Sequence, residues 1–348
     1  MTVPESHKRR DIMVLFLVAV AVSLLLTGYC YKEIHAPLNV VEDQSYMVLP
    51  GSSLFGITND LVDRGIVTTP ERLFRYYALL TRSEGTLKAG EYDISVVGST
   101  SGLLELLRSG VVIQRQITFL EGWTFAQWRQ HLVQEQMLQQ VLAETTDLAF
   151  MTELGKPNTQ PEGWFFPDTY RFMRGETDKD VLRRAHAKMI DTMEQEWPGR
   201  SVRDAIVDFY QALIMASVIE KETGSHADRG KISRVFVNRL QKNMRLQSDA
   251  TVIYGLGEKF EGDLKRSHLK QISPYNTYVN VGLPPTPIGM PGLASIRAAL
   301  HPDPGEFLFF VAKGDGTSYF SDNLEEHNAA VEQYQRSGRR ADYQSNPQ

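Results

Sequence analysis

The sequence predicts an α+β protein carried on a single N-terminal transmembrane helix, with a small strand-helix-helix-strand subdomain followed by a mixed α/β domain built on long helices. Three observations carry that expectation. Ile12 to Tyr31 is a run of 20 residues without a formal charge, and at about 1.5 Å per helical residue it spans roughly 30 Å, the thickness of a bilayer core. Around residues 45–95 short strand-like runs enclose two helical periods. Beyond about residue 155 the texture changes to long amphipathic helices separated by Gly- and Pro-rich loops.

Lys8, Arg9 and Arg10 precede the apolar run, and Tyr29 and Tyr31 close it where aromatic side chains prefer the interface. We therefore expect residues 1–11 to be cytoplasmic, 12–31 to cross a membrane once, and everything after Lys32 to lie outside. A cleaved signal peptide is the alternative. An anchor is preferred because the run exceeds the usual signal core of about 7 to 15 residues and lacks a small-x-small site. Cys30 is the sole cysteine, which excludes an intrachain disulfide and a Cys-based metal cluster. Bulky Tyr29 before it argues against a lipidated cysteine.

Residues 32–44 have no steady period and are expected to be a linker. In the subdomain, 45–120, Tyr46 to Leu49 is a strand, Pro50-Gly51 a turn, and Ser52 or Ser53 an N-cap. Leu54, Ile57, Leu61 and Val62 then form a helix's inward face. A second helix has Pro70 in its first turn and runs through Leu73, Tyr77 and Leu80, and Gly90 to Ser95 is a strand. This order resembles the LysM glycan-binding module; a spacer domain is the alternative. A shift of 71 residues superposes Leu49-Pro-Gly51 on Leu120-Glu-Gly122, Ser53 on Thr124, Leu54 on Phe125, Ile57 on Trp128 and Leu61-Val62 on Leu132-Val133. Duplication of a binding unit and shared capping and packing rules both account for the echo.

Residues 121–154 are expected to be a connecting helical region, 155–337 the chemical domain and 338–348 a flexible tail. Within the domain we expect helices over 178–197, 202–223 and 228–242, with Gly224 and Asn243 as stops. Phe307 to Ala312 and Ser318 to Ser321 flank the turn Asp315-Gly316 as a hairpin, and Leu324 to Tyr334 returns as a helix.

The net charge of -5 at 23% charged residues gives no reason to expect a nucleic-acid partner. There is no HExxH, no phosphate-cradling GK[ST] loop and no G-x-S-x-G elbow, and the eight histidines form no ligand-spaced cluster. Neither cofactor nor metal is expected.

What stands out is Glu220, reached at intervals of seven from Ile206 and Leu213, so that a carboxylate sits where a buried side chain belongs. Burial raises a carboxylic acid's pKa. Lifting a glutamate from about 4.3 to about 6 takes roughly 2.3 kcal/mol, against about 0.3 to 1 from the helix dipole, so desolvation must do most of it. Such an acid could protonate a glycosidic oxygen. The competing explanation is a structural ion pair with Arg239 or Arg234. Glu222 lies about 200° further round the helix and is expected to be solvated or salt-bridged. Asp249 could join a polar cleft, although capping is the commoner role for Asp and Ser beside a helix start. Trp164-Phe165-Phe166 with Tyr170 could present faces to sugar rings, although core is the commoner role of aromatics.

Six segments make the chain similar to the endolytic murein transglycosylases: Glu162-Gly-Trp-Phe-Phe-Pro-Asp-Thr-Tyr170, Met215-Ala-Ser-Val-Ile-Glu-Lys-Glu-Thr223, Val235-Phe-Val-Asn-Arg-Leu240, Leu246-Gln-Ser-Asp-Ala-Thr-Val-Ile-Tyr254, Ser273-Pro-Tyr-Asn-Thr-Tyr278 and Gly282-Leu-Pro-Pro-Thr-Pro-Ile-Gly289. The resemblance covers most of the chain beyond the anchor. It implies a bitopic inner-membrane protein, periplasmic beyond its anchor, with a LysM-like subdomain and a catalytic domain in which the first glutamate of Glu-Lys-Glu-Thr, here Glu220, is catalytic. It also implies non-hydrolytic cleavage of peptidoglycan glycan strands to 1,6-anhydro ends, at the membrane beside peptidoglycan synthases. Gln247, Ser248, Asp249, Tyr254, Tyr275, Asn276 and Thr277 are the expected substrate-binding positions. Ala250 stands where the family often has proline, which bears on loop rigidity and not on the acid. A hydrolytic muramidase and a non-catalytic glycan-binding scaffold are the remaining alternatives.

Overall fold

A computed structural model of the chain describes residues 5–81, 87–202, 205–222, 225 and 227–340. These divide into two compact units, Met1–Arg115 and Gln116–Gln348.

The first unit opens with helix α1, Glu5–Ile34. Its stretch Arg9–Ile34 is long and apolar enough to cross a membrane, and Ile12 to Phe16 expose their side chains. Strand β1 (Ser45–Val48), helices α2 (Leu54–Asp63) and α3 (Glu71–Leu80) and strand β2 (Gly90–Asp93) follow in the expected order. β1 and β2 pair antiparallel, Ser45 opposite Asp93 and Val48 opposite Gly90. Ser53 is the N-cap of α2, accepting from the Gly56 amide at 3.0 Å. Pro70 sits at the N-cap of α3, one position before its expected place. A helix that the periodicity did not announce, α4 (Thr100–Ser109), completes the unit between the Ser99 cap and Gly110 in the left-handed region. Its Leu103 and Leu107 close a core with Tyr46, Ile57, Leu61, Phe74 and Tyr92.

Strand β3 (Arg115–Thr118) leads into the second unit and pairs with β4 (Thr169–Phe172). Between them lie α5 (Phe125–Gln134) and α6 (Asp147–Glu153). Phe125, Trp128, Leu132 and Phe150 share one core with the buried faces of the later helices, so 121–154 is part of that unit's body. The echo has a structural counterpart: under the same shift α2 and α5 coincide end to end, both of 10 residues. Gly51 and Gly122 share the left-handed turn at φ 77° and 76°, and Thr124 caps α5 as Ser53 caps α2.

The helices are α7 (Asp178–Glu196), α8 (Phe209–Glu222), α9 (Arg229–Gln241), α10 (Asp249–Leu256) and α11 (Leu293–Leu300). Then come hairpin strands β5 (Phe309–Ala312) and β6 (Ser318–Ser321) and helix α12 (Leu324–Val331), which passes into a π turn over Glu332–Arg336. α8 is the central rod, buried without interruption from Ala212 to Ile219 and flanked by α9 and α11. It begins at Phe209, not at Val202. The Asp208 carboxylate accepts from the Gln211 amide at 2.8 Å while Gln211 Oε1 accepts from the Val207 amide at 3.1 Å, a reciprocal cap that starts the helix there. Ile206 is buried but lies outside α8, so the stripe leading to Glu220 is shorter than expected. Thr223 and the expected stop Gly224, like residues 1–4 and the tail from 341, lie outside the described residues. Asn243 does take the left-handed conformation after α9, at φ 54°. Trp164, Phe165, Phe166 and Tyr170 are all buried core.

Candidate active site

In the last turn of α8, after a buried stretch whose one polar side chain is Ser217, stands Glu220, whose side chain is only 6% exposed. Both carboxylate oxygens are engaged. Arg229 Nη2, from the first residue of α9, donates to Oε1 at 3.1 Å, and the Gly292 amide donates to Oε2 at 2.8 Å. The ion pair weighed against the acid role therefore exists, but with Arg229. Arg234 and Arg239 are spent on carbonyls, Arg234 on Asp303 and Arg239 on Leu308 and Leu246.

The segment carrying Gly292 is fixed from two sides. On α8, Ser217 Oγ accepts from the Ile288 amide at 2.9 Å. In the turn before α5, the Gly122 amide donates to the Met290 carbonyl and the Met290 amide to the Trp123 carbonyl, both at 2.8 Å. A Cβ at Gly122 would lie 3.7 Å from Glu220 Cγ, and one at Gly292 would meet the Glu121 carboxylate, so the backbones approach closely around Glu220.

Glu162 is a second buried carboxyl, which the sequence reading quoted in a motif without giving it a role. Its Oε1 accepts from the Phe125 amide and its Oε2 from the Tyr254 hydroxyl, each at 3.0 Å. Burial pushes it from 4.5 to about 7, against the pull of these donors and of Lys221. It ties α10 to the start of α5, directly beyond the turn that braces Met290. Tyr254 and Tyr275 rings meet at 5.0 Å, and the Tyr275 and Thr286 hydroxyls share a hydrogen bond of 2.9 Å.

Glu222 points the other way. It is part-buried and accepts from Ser248 Oγ, where the sequence reading expected a solvated or salt-bridged group, and burial raises it to about 7. With Arg239, Gln247, Asp249 and Tyr278 it lines a cavity of about 540 Å³. Asp249 is the first residue of α10 and accepts from the Tyr278 hydroxyl at 2.5 Å, so its carboxylate faces that cavity wall instead of capping.

The eight expected residues thus fall into groups. Glu220 stands with Arg229 and Gly292; Tyr254 and Tyr275 gather at Glu162; Gln247, Ser248 and Asp249 belong with Glu222. Asn276 and Thr277 are buried and serve the loops. Asn276 Nδ2 donates to the His268, Leu269 and Gln271 carbonyls, and Thr277 Oγ1 accepts from the Ser248 amide at 3.0 Å. Arg229 and Gly292 were missed. The short connection from α8 to α9 was the available signal for Arg229, because it brings the start of α9 back beside the end of α8.

Comparison with known proteins agrees with the motifs. The YceG-like family model matches residues 46–333. An endolytic murein transglycosylase of Bacillus subtilis is 35% identical over 301 residues, 82% of each chain. One from Streptococcus pneumoniae is 29% identical over 318 residues, 82% of this chain but 57% of that longer protein. The crystal structure of a yceG-like protein of Listeria monocytogenes aligns with a TM-score of 0.52 at 29% identity, over 83% of this chain and 99% of that one.

Proposed function

Because the chain belongs to the YceG-like family, we propose that it is a membrane-anchored endolytic murein transglycosylase in which Glu220 is both acid and base. The observation that carries this reading is the setting of Glu220. It lies in the last turn of a buried helix, keeps 6% of its side-chain exposure, and has a guanidinium on one oxygen and a backbone amide on the other.

In the proposed reaction Glu220 donates its proton to the oxygen linking N-acetylmuramic acid to N-acetylglucosamine, and that C–O bond breaks. The carboxylate left behind is held by Arg229 and the Gly292 amide, charge-assisted donors already in place. It then takes the proton of the muramic C6 hydroxyl as that oxygen bonds to C1, closing a 1,6-anhydro ring. Water is not consumed, so the step dispenses with the paired carboxylates of hydrolytic glycosidases.

Helix α1 is read as an uncleaved anchor that leaves the rest of the chain in the periplasm, where the enzyme would end growing strands beside the synthases that make them. The first unit, with its strand-helix-helix-strand order, is read as the LysM-like glycan holder.

Mass spectrometry of glycan strands incubated with the full chain in detergent, beside its Glu220→Gln variant, tests the reading. Anhydro ends made only by the parent are expected. Reducing ends would make the protein a hydrolase, and intact strands with a folded parent would leave it a scaffold.

A further inference from the structure

Between β3 and α5 the second unit holds a cavity of about 400 Å³ whose wall includes Gln116, Thr118, Trp123, His131, Gln134 and Glu135. That volume is within the range of small-molecule sites. Behind the lining rings of Trp123 and His131 lies a buried aromatic stack. Trp128 stacks on Phe119 with centroids 3.8 Å apart. The His131 ring stands edge-on to both Phe119 and Trp123, at 5.7 and 5.4 Å. Trp123 is half-buried, its ring packed against the core while still lining the cavity. The rim is made of side-chain amides, a hydroxyl and one carboxylate; Glu135 already accepts from the Met137 amide at 3.1 Å, and Thr118 shares a hydrogen bond with Thr169 at 2.8 Å. Gln116 and Gln134 are therefore the rim groups best placed to serve a ligand.

The cavity adjoins the acid through the chain itself. Leu120 lines it. Gly122, whose Cβ position is 3.7 Å from Glu220 Cγ, follows two residues later, a separation of at most about 7 Å of chain. Trp123 belongs to both places, its carbonyl accepting from the Met290 amide at 2.8 Å and its ring facing the cavity. An aromatic face beside amide donors and acceptors suits a pyranose, which offers a C–H face together with hydroxyl and acetamide groups. The strand-turn-helix pattern of α2 recurs at this place.

We propose that the cavity between β3 and α5 is a sugar subsite, in which Trp123 stacks on a pyranose ring of the glycan near the scissile bond and Gln116 and Gln134 bind its polar groups. The proposal rests on the transglycosylase reading. Occupancy of this cavity would set how far along a strand the cut falls.

The test is calorimetric titration of the full chain, carrying Glu220→Gln to prevent turnover, with a soluble hexasaccharide of alternating N-acetylglucosamine and N-acetylmuramic acid. Adding Trp123→Ala should weaken binding about tenfold, the scale of one lost aromatic contact, while Trp123→Phe retains most of it. Gln134 is exposed at the end of α5, so Gln134→Arg should crowd the cavity without disturbing the fold and also weaken binding. In the chain with Glu220 intact, both variants should raise KM more than they lower kcat and change the product-length distribution. Affinities within about twofold of the parent for Trp123→Ala and Gln134→Arg would overturn the subsite while leaving the transglycosylase reading in place. Failure of the Glu220→Gln parent to bind the hexasaccharide, together with failure of the unmutated chain to cut glycan, would overturn both.

Discussion

Arg229 Nη2 stands 3.1 Å from Glu220 Oε1, and only 7% and 6% of the two side chains remain exposed. At that depth both groups have lost most of their hydration, so once Glu220 has given up its proton each depends on the other and on the neighbouring donors. The pair is therefore a poor place to look for net stability and a good place to look for placement. It holds the carboxylate of the proposed acid between a guanidinium and the Gly292 amide.

Removing one partner of such a pair strands the other. Arg229→Met should lower unfolding stability by about 3 to 5 kcal/mol, and Arg229→Lys by less, since a lysine keeps the charge but not the planar fork. Urea unfolding followed by circular dichroism measures this. Loss of under about 1 kcal/mol in Arg229→Met would mean that the pair is loose and solvated.

Glu220→Gln keeps the shape and an acceptor for the Gly292 amide but cannot shuttle a proton. Turnover of glycan strands should fall by at least about 10²-fold while binding of the same strands persists. Undiminished release of products by a folded Glu220→Gln chain would remove the acid/base assignment.

The legibility of the molecule follows physical range. Local signals were readable: the α1 anchor candidate from uninterrupted apolarity, the α2 start from Ser53, the end of α9 from Asn243 and the β5–β6 turn from Asp315-Gly316. The start of α8 was misread because apolar periodicity continues back to Val202, while the reciprocal Asp208–Gln211 cap starts the helix only at Phe209. Helix α4 escaped because it is only 10 residues long, carries Gly102 in its first turn, and has buried leucines, Leu103, Leu104 and Leu107, that span little more than one turn. Glu220 itself was legible as a carboxylate on an apolar stripe. Its partners were not, since Arg229 and Gly292 approach it only through tertiary packing, Gly292 from 72 residues away in sequence. Glu162 was equally hidden: a glutamate before a glycine in a loop has no period to betray its burial.

Gly163 follows Glu162 with φ 83°, and a Cβ there would run into the Pro287 ring. Both the backbone conformation and the close approach exclude a side chain, and the segments concerned position Glu162 and the loop leading to Gly292. Gly163→Ala should cost about 1 to 3 kcal/mol of stability from strain alone. It should also lower kcat, since the loop must shift. Thermal unfolding within experimental scatter of the parent would show that the turn yields easily, contrary to this account.

Glu162 gives the chain a pH dependence of unusual sign. Its folded value, about 7, is above the ordinary 4.5 because burial disfavours the charged form. Between those two values the folded state binds more protons than the unfolded state, so stability falls as pH rises from about 4.5 to about 7 and then levels off. A shift of that size corresponds to on the order of 3 kcal/mol. Glu222, also raised to about 7 by burial, contributes in the same direction over the same window. Glu162→Gln remains neutral, can still accept from the Phe125 amide, and should flatten part of this decline, and Glu162→Gln with Glu222→Gln should flatten more. Urea unfolding at pH 5, 6, 7 and 8 reads the slope directly. If the single variant declined as steeply as the parent, Glu162 would have to be ionised in the folded protein throughout, and the burial that ties α10 to the start of α5 would be carrying a charge held by Tyr254, the Phe125 amide and Lys221.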